Sequence, residues 1–380
     1  MRIGIDCRTI QEPEPAGTAH YTKELVRALL EIDSDNEYFL FFGQEKNIPE
    51  EFKRPNAKTI ILPPKSLPFI SSHWQFSRTL KKCRLDIFHA PANTLPVGYN
   101  GASILTIHDL AIYQNSEWFP KQTFSTNFLV PRSLAKAKKI IVPSESTKQD
   151  LQKIFRAPEE KIKVIYEGVR AEEPSENAKN STLEKFNLPE KNYFLFLGTI
   201  EPRKNLIALI AAYKILLQKN PDAPILVLAG GKGWKNDDIF EAIKKRSLEN
   251  KIKCLGYVSN EEKFALMKSA LAFVYPSLYE GFGLPILEAM SLGAPVITSR
   301  ISSLPEIAGD AALLIDPNND GEIASALEKL WKDENLRNDF INKGKHQSAK
   351  FSWTKTAKET LDIYRAKSMA LCQLVWRLIR

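Results

Sequence analysis

The feature that most restricts this chain is its rhythm. Short, continuous apolar runs bounded by turn residues alternate with longer stretches of helical period, and the series occurs twice. "RIGID" leads into "HYTKELVRALLEI", whose Leu25, Leu29 and Leu30 share one helical face, and "YFLFF", "DIFHAP", "ASILTIHD" and "KKIIVPS" follow. The second series runs "NYFLFLG", the helical "LIALIAAYKILLQ", then "PILVLAG", "IKCLG", "LAFVYPS" and "PVITS". Apolar runs that do not alternate with polar residues belong to strands covered on both faces, so each series predicts β-α-β units around a parallel sheet.

At 380 residues the chain is longer than one hydrophobic core supports. Two Rossmann-like, doubly wound α/β domains facing across a cleft are expected, at residues 1–170 and 193–352. Residues 171–192 are polar, lack a sustained apolar period and form the expected linker region. Its "STLEKF" portion suits a short helix capped by Ser181. Residues 353–380 read as C-terminal helices that pack back on the N-terminal domain or lie on a membrane surface. Leu371, Leu374, Val375 and Leu378 fall at helical spacing, with Trp376, Arg377 and Arg380 beside them. The run is too short to span a bilayer, for which roughly 20 residues are needed.

Composition narrows the partners. A net charge of +8 and a pI near 9.1 point to an anionic partner. The basic residues form only modest clusters, at Lys81, Lys82 and Arg84 and at Lys136, Lys138 and Lys139, without any nucleic-acid recognition motif; no nucleic acid is expected. Cys7, Cys83, Cys254 and Cys372 are scattered, which argues against a zinc site or disulfide framework. "MRIGIDCR" enters a strand at once, so no leader is expected and a cytoplasmic setting fits best. There is no G-x-x-x-x-G-K-[ST] loop and no G-x-G-x-x-G after the first strand, which removes the main support for ATPase and nicotinamide-binding readings. The "DSD" at residues 33–35 lies between a helix and a strand and reads as a turn, so no metal site is expected there.

Parallel α/β sheets bind ligands beyond the carboxyl ends of their strands, so candidate residues are sought on loops that directly follow strands. "YEGFGLPILE" runs from such a loop into a helix, with Glu280 before it and Glu288 about one turn inside. Pro285 suits the first turn, and Gly281 and Gly283 let the backbone approach a ligand. Amides at the helix start can meet phosphate oxygens, and carboxylates accept from sugar hydroxyls. Spacing alone leaves a nucleotide-sugar site balanced against a capped helix with ordinary glutamates. "GTIEPRKN" places Arg203 and Lys204 after a strand, where two cations would neutralise a diphosphate leaving group; cations are disfavoured at a helix start, which favours a functional reason for them. "ILTIHDL" ends at His108 and Asp109, either a donor to substrate oriented by Asp109 or a structural pair with Asp109 capping the next helix. Gly17 and His20 follow the first strand, where a phosphate or acceptor could be admitted. His89 is either core or cleft-facing.

Taken together, these segments resemble glycosyltransferase family 4. "YEGFGLPILE" is similar to its E-x7-E motif, "GTIEPRKNL" to its donor-phosphate loop and "TIHDL" to its cleft histidine loop. "IIVPSESTKQDL" resembles its interdomain segment and "SSLPEIAGDAALLIDP" the stretch after the motif. The resemblance covers nearly the whole chain and implies the GT-B fold with a retaining, metal-independent transfer and no cofactor. It implies that Glu288 holds the ribose, and that Glu280 with Gly281, Phe282, Gly283 and Leu284 contacts the donor hexose. Arg203 and Lys204 would bind the diphosphate and His108 would touch the sugar near the transfer point. Thr199 stands where many members carry arginine, leaving Arg203 to share that role with Lys204. "AGTAHY" replaces the common two glycines and Arg-Tyr on the acceptor side, where Gly17, His20 and Asp109 are the candidates.

The mechanism so implied is front-face transfer, with the leaving phosphate accepting the acceptor's proton and the enzyme supplying positioning and charge. "EPRKN" resembles mannosyltransferases of polysaccharide assembly, so GDP-mannose is the favoured donor, ahead of UDP-sugars. The expected acceptor is a glycan or lipid-linked glycan, with peripheral contact to the inner face of an anionic membrane. A nucleotide-sugar epimerase, a phosphorylase and a non-catalytic sugar- or lipid-binding module are the competing readings, the phosphorylase disfavoured by length.

Overall fold

The computed structural model describes residues 1–11, 17–62, 69–119, 125–231, 233–234 and 237–378, of which the side chains of 69–72, 125 and 367–378 are not described. The side chains of Cys372, Leu371, Leu374, Val375, Trp376, Arg377, Leu378 and Arg380, and the loop residues 12–16 before Gly17, therefore lie outside the described residues.

The chain forms two compact units. The first contains residues 1–110, 121–168 and 352–380 and is built on seven strands: β1 (Arg2–Asp6), β2 (Glu37–Phe42), β3 (Ala57–Ile61), β4 (Ile87–Ala90), β5 (Ser103–Thr106), β6 (Lys139–Val142) and β7 (Ile162–Val164). All pair in parallel in the order β3-β2-β1-β4-β5-β6-β7. The five strands legible as apolar runs are buried nearly throughout. β3, "AKTII", is an edge strand whose residues are mostly exposed, so it carries no such run. β7 is only three residues long.

One helix, Trp353–Leu378, closes this unit. It packs along the helix Gly17–Ile32, and Trp353, Ala357, Leu361 and Tyr364 join Leu25, Leu29, Ile5 and Tyr38 in one buried cluster. Gly168 makes this fit possible, because a Cβ there would stand 2.2 Å from the Trp353 amide nitrogen. His89, at 0% exposure, belongs to this core. Its Nδ1 lies 2.6 Å from Tyr364 Oη and its Nε2 2.7 Å from Thr106 Oγ1, and burial drives its pKa down to about 3. It is therefore a neutral link between sheet and helix. Asp33 of the "DSD" turn is likewise occupied internally, accepting from Tyr38 Oη at 2.6 Å and Asn36 Nδ2 at 2.7 Å.

The second unit contains residues 111–120 and 169–351. Its strands are β8 (Tyr193–Leu197), β9 (Ile225–Ala229), β10 (Ile252–Gly256), β11 (Ala272–Tyr275), β12 (Val296–Ser299) and β13 (Ala312–Ile315), all parallel in the order β10-β9-β8-β11-β12-β13. In both sheets the strand order reverses beside the first strand, between β1 and β4 and between β8 and β11, which makes those the topological switch points.

The segment expected as a linker folds with this unit. Helix Glu176–Lys185 buries Thr182 and Leu183 and packs against helix Asn260–Ser269. Its cap is Ser175, whose Oγ accepts from the Ala178 amide. Ser181, the expected cap, lies inside the helix and donates to Ala178 O, because the helix begins well over a turn earlier than its apolar content indicates. Residues 111–119 also pack here: Trp234 donates its indole N–H to Trp118 O and its ring lies 5.7 Å from Phe119.

Candidate functional site

The second sheet's switch point brings together residues that the sequence places 77 positions apart. After β8 the chain passes Gly198 and Thr199 and forms a short turn, Pro202–Lys204, before helix Leu206–Lys219. After β11 it reaches Glu280, then Gly283, which starts helix Leu284–Ser291 with φ of 109°. That φ suits glycine, and Leu304 stands 2.9 Å from where a Cβ would be. Pro285 occupies the first turn, where an amide N–H would lack a helical partner.

Arg203 and Lys204 converge on Glu280. Arg203 Nη1 donates to Glu280 Oε2 at 2.8 Å and to Tyr279 O at 2.8 Å, while its Nε and Nη2 donate to Glu201 Oε1. Lys204 Nζ donates to Glu280 Oε1 and to Tyr275 Oη, both at 2.6 Å. The loop backbone is held from the far side by two serines: Ser302 Oγ bonds Glu280 O and accepts from its amide, and Ser303 Oγ donates to Glu280 O and Phe282 O.

Burial sets the electrostatics. Glu280 is 7% exposed and Lys204 6%. Burial pushes the Glu280 carboxyl up, but Arg203 and Lys204 overcome it and hold the pKa at about 2. The Lys204 ammonium is lowered, first by burial and then by Arg203, against the pull of Glu280 and Glu201. Two cations and two carboxylates thus stand together with cancelling charges, and each Glu280 oxygen, having further lone-pair capacity, can still accept from a hydroxyl.

Glu288 does not join this cluster. It is 3% exposed on helix Leu284–Ser291 and its Oε1 accepts from Lys263 of helix Asn260–Ser269 at 2.7 Å. Thr199 lies in the glycine-lined stretch next to these groups. A Cβ at Gly230 would stand 2.0 Å from Gly198 O, and one at Gly233 2.7 Å from Ile200 O and 2.9 Å from Thr199 Cγ2. These glycines are therefore demanded by backbone packing between the loops after β8 and β9.

The first unit's candidates sit apart in the chain and differ in kind. His108 is held on both ring nitrogens: Nε2 donates to Pro91 O at 2.6 Å, and Nδ1 faces Glu167 Oε1 at 3.4 Å, with the Tyr21 ring edge-on at 4.6 Å. Glu167 is thus a carboxylate opposite the ring, because the loop after β7 brings "YEG" beside the loop after β5. Gly17 is the exposed first residue of its helix, and a Cβ there would meet nothing within 4 Å among the described residues. His20 is partly buried against Trp353, with ring centroids 6.1 Å apart, so it is a packing residue as well as a candidate.

Sequence reasoning missed Glu167, Glu201, Tyr275, Lys263 and the serine pair. Glu167 follows a strand and would have passed the same filter had β7 been recognised. Glu201 and Tyr275 stood inside segments already singled out; a tyrosine ending a buried strand needs a partner for its hydroxyl.

A switch point carrying a buried and a half-buried cation, a shared carboxylate and close-packed glycine loops can take a diphosphate-bearing ligand. Two such Rossmann-like sheets in one chain are the architecture of the GT-B fold, which glycosyltransferases share with other enzymes. Residues 15–173 match the family described as Glycosyltransferase Family 4, and residues 179–347 match Glycosyl transferases group 1. The chain is 31% identical over 383 residues to O-antigen chain mannosyltransferase B of Escherichia coli, across 96% of this chain and 100% of that one. It is 28% identical over 263 residues to O-antigen chain mannosyltransferase RfbU of Salmonella typhimurium, across 69% and 70%. Sucrose-phosphate synthase from Thermosynechococcus elongatus shares the fold with a TM-score of 0.77 at 21% identity, covering 97% of this chain and 100% of its own. The chain belongs to glycosyltransferase family 4 and is a glycosyltransferase. Among the described residues no helix is long and apolar enough to cross a membrane.

Proposed function

We propose that this enzyme transfers mannose from GDP-mannose, with retention of anomeric configuration and without a metal ion, to a hydroxyl of a glycan or lipid-linked glycan in cell-surface polysaccharide synthesis. The observation that carries the reading is the Arg203–Glu280–Lys204 cluster at the switch point of the second sheet. The choice of mannose is supported by full-length similarity to a protein named as an O-antigen chain mannosyltransferase.

In this reading Lys204 and Arg203 meet the negative charge that develops on the leaving diphosphate, preorganised by Glu280 and Glu201 so that little rearrangement accompanies the reaction. Glu280, with the backbone from Gly281 to Leu284, accepts from and donates to the hexose, and Glu288 takes the ribose through lone pairs that Lys263 does not use. The leaving phosphate accepts the acceptor hydroxyl's proton, so no side chain is assigned as nucleophile. His108 contacts the sugar through its ring only if its bond to Pro91 O is exchanged. Gly17, His20 and Asp109 remain the acceptor-side candidates, and contact with an anionic membrane supplies the lipid-linked substrate.

The test is nucleotide release from a panel of GDP- and UDP-sugars, with and without crude lipid acceptor and with a chelator. GDP-mannose is expected to be the preferred donor, with acceptor-dependent turnover that survives the chelator. Preference for a UDP-sugar would replace the donor, and saturable binding without turnover would favour a binding module. Lys204→Ala should lower kcat/KM by about 10²–10³, the range for one preorganised electrostatic donor; near-normal activity would remove its assigned role.

A further inference from the structure

Lys204 is nearly withdrawn from water, and what replaces its water is specific. An ammonium has three N–H donors. One goes to Glu280 Oε1 and another to Tyr275 Oη, each at 2.6 Å, and the third has no partner among the described residues. Tyr275 ends β11 at 1% exposure. Its ring is stacked on Phe196 and on Phe273, with centroids 5.9 and 5.8 Å away and interplanar angles of 13° and 19°. Those contacts fix the ring and aim the hydroxyl at the ammonium, from which it accepts, and at the Glu280 carboxylate, to which its own O–H can donate. A phenylalanine would make the same stacking contacts, so the hydroxyl answers to Lys204 and its partner Glu280 rather than to the core.

We propose that Tyr275 is a positioning residue that acts through Lys204: its hydroxyl stands in for a water on the buried ammonium, keeps it charged and aims the remaining N–H at an anionic oxygen of the ligand. The inference rests on the reading that Lys204 meets a nucleoside diphosphate. Arg203 and Glu201 face the ammonium from its own turn, and Tyr275 and Glu280 from β11 and the loop after it. Burial and Arg203 lower its pKa, so it loses its proton at lower pH than a free lysine. Loss of the hydroxyl removes an oxygen that favours the charged form and moves that loss to lower pH still.

The experiment is calorimetric titration of GDP and of UDP into the full chain. Wild type, Tyr275→Phe, Lys204→Ala and the double variant are compared above pH about 7.5, where a phosphate's second ionisation is complete. Wild type is expected to bind and to weaken as pH rises. Tyr275→Phe is expected to bind about tenfold more weakly, the scale of one hydrogen bond to a charged group, and to lose affinity at lower pH than wild type. In the Lys204→Ala background the Tyr275 substitution should cost much less than it does in wild type. Wild-type affinity and pH profile in Tyr275→Phe, or an equal loss in both backgrounds, would overturn the proposal. Should Tyr275→Phe fail to fold, 4-methylphenylalanine installed at 275 keeps the volume without the hydroxyl and is read by the same criteria. A wild type that binds neither nucleotide overturns the diphosphate reading instead, so the two failures are distinguishable.

Discussion

Glutamine at position 280 keeps the shape of the side chain and one acceptor oxygen but removes the charge that Arg203 and Lys204 share. In the folded chain that carboxyl has a pKa of about 2, against an ordinary 4.5. The folded state therefore holds it ionised after the unfolded state has taken up a proton, so its stabilisation is complete above pH 4.5 and is lost as pH falls toward 2. At about 1.36 kcal/mol per pH unit, the ionised form contributes about 3 kcal/mol at pH 7 and roughly half of that at pH 3. Lys204 returns part of this at neutral pH, because its own charge is disfavoured by burial.

The second unit has roughly 190 residues, for which each kcal/mol moves a melting temperature by about 2–4 °C. Scanning calorimetry of wild type and Glu280→Gln should therefore show the variant's second-unit transition about 6–12 °C lower at pH 7, with the gap shrinking by about half at pH 3. Carboxylates elsewhere titrate in both proteins and cancel in the comparison. A gap that stays constant or widens on acidification would refute an ionised, low-pKa Glu280.

Two further perturbations test the packing that positions the site. Gly230→Ala should destabilise the second unit strongly, since its Cβ would fall 2.0 Å from Gly198 O at φ of 142°; a melting temperature within a degree of wild type would contradict the close approach. Tyr364→Phe leaves His89 Nδ1 without its partner and should cost about 1–3 kcal/mol in urea unfolding. Faster hydrogen exchange in helix Trp353–Leu378, with the second unit unchanged, is the accompanying signature.

Strands buried on both faces were legible because they must be continuously apolar, and that held for β1, β2, β4, β5, β6, β8, β9, β11 and β12. β10 was legible although it is a half-exposed edge strand. The edge strand β3 and the three-residue β7 carry no such obligation, and losing β7 also hid Glu167. Helix Glu176–Lys185 was obscured because it buries only two residues, Thr182 and Leu183. At the site, Arg203, Lys204 and Glu280 could each be named from their place after a strand. Their convergence could not, because it depends on β8 and β11 being neighbours, a property of strand order rather than of local sequence. Nor could the pairing of Glu288 with Lys263, which arises where two helices meet.

The two sheets have the same reversal of strand order but not the same chemistry at it. In the first, the residues directly after β1 and β4, Cys7–Gln11 and residues 91–94, include no glycine, and polar side chains there bond one another or the backbone. Arg8 pairs through two nitrogens with Asp6, at 2.8 and 2.7 Å, and His108 is held by Pro91 and Glu167. In the second, Gly198 follows β8, Gly230 follows β9 and Gly281 and Gly283 follow β11, while charge is concentrated on Arg203, Lys204, Glu201 and Glu280. Phosphate oxygens are favoured by glycine-lined backbone together with cations, and among the described residues the second edge combines them. That asymmetry, which topology does not dictate, is in keeping with the donor site proposed on the second unit.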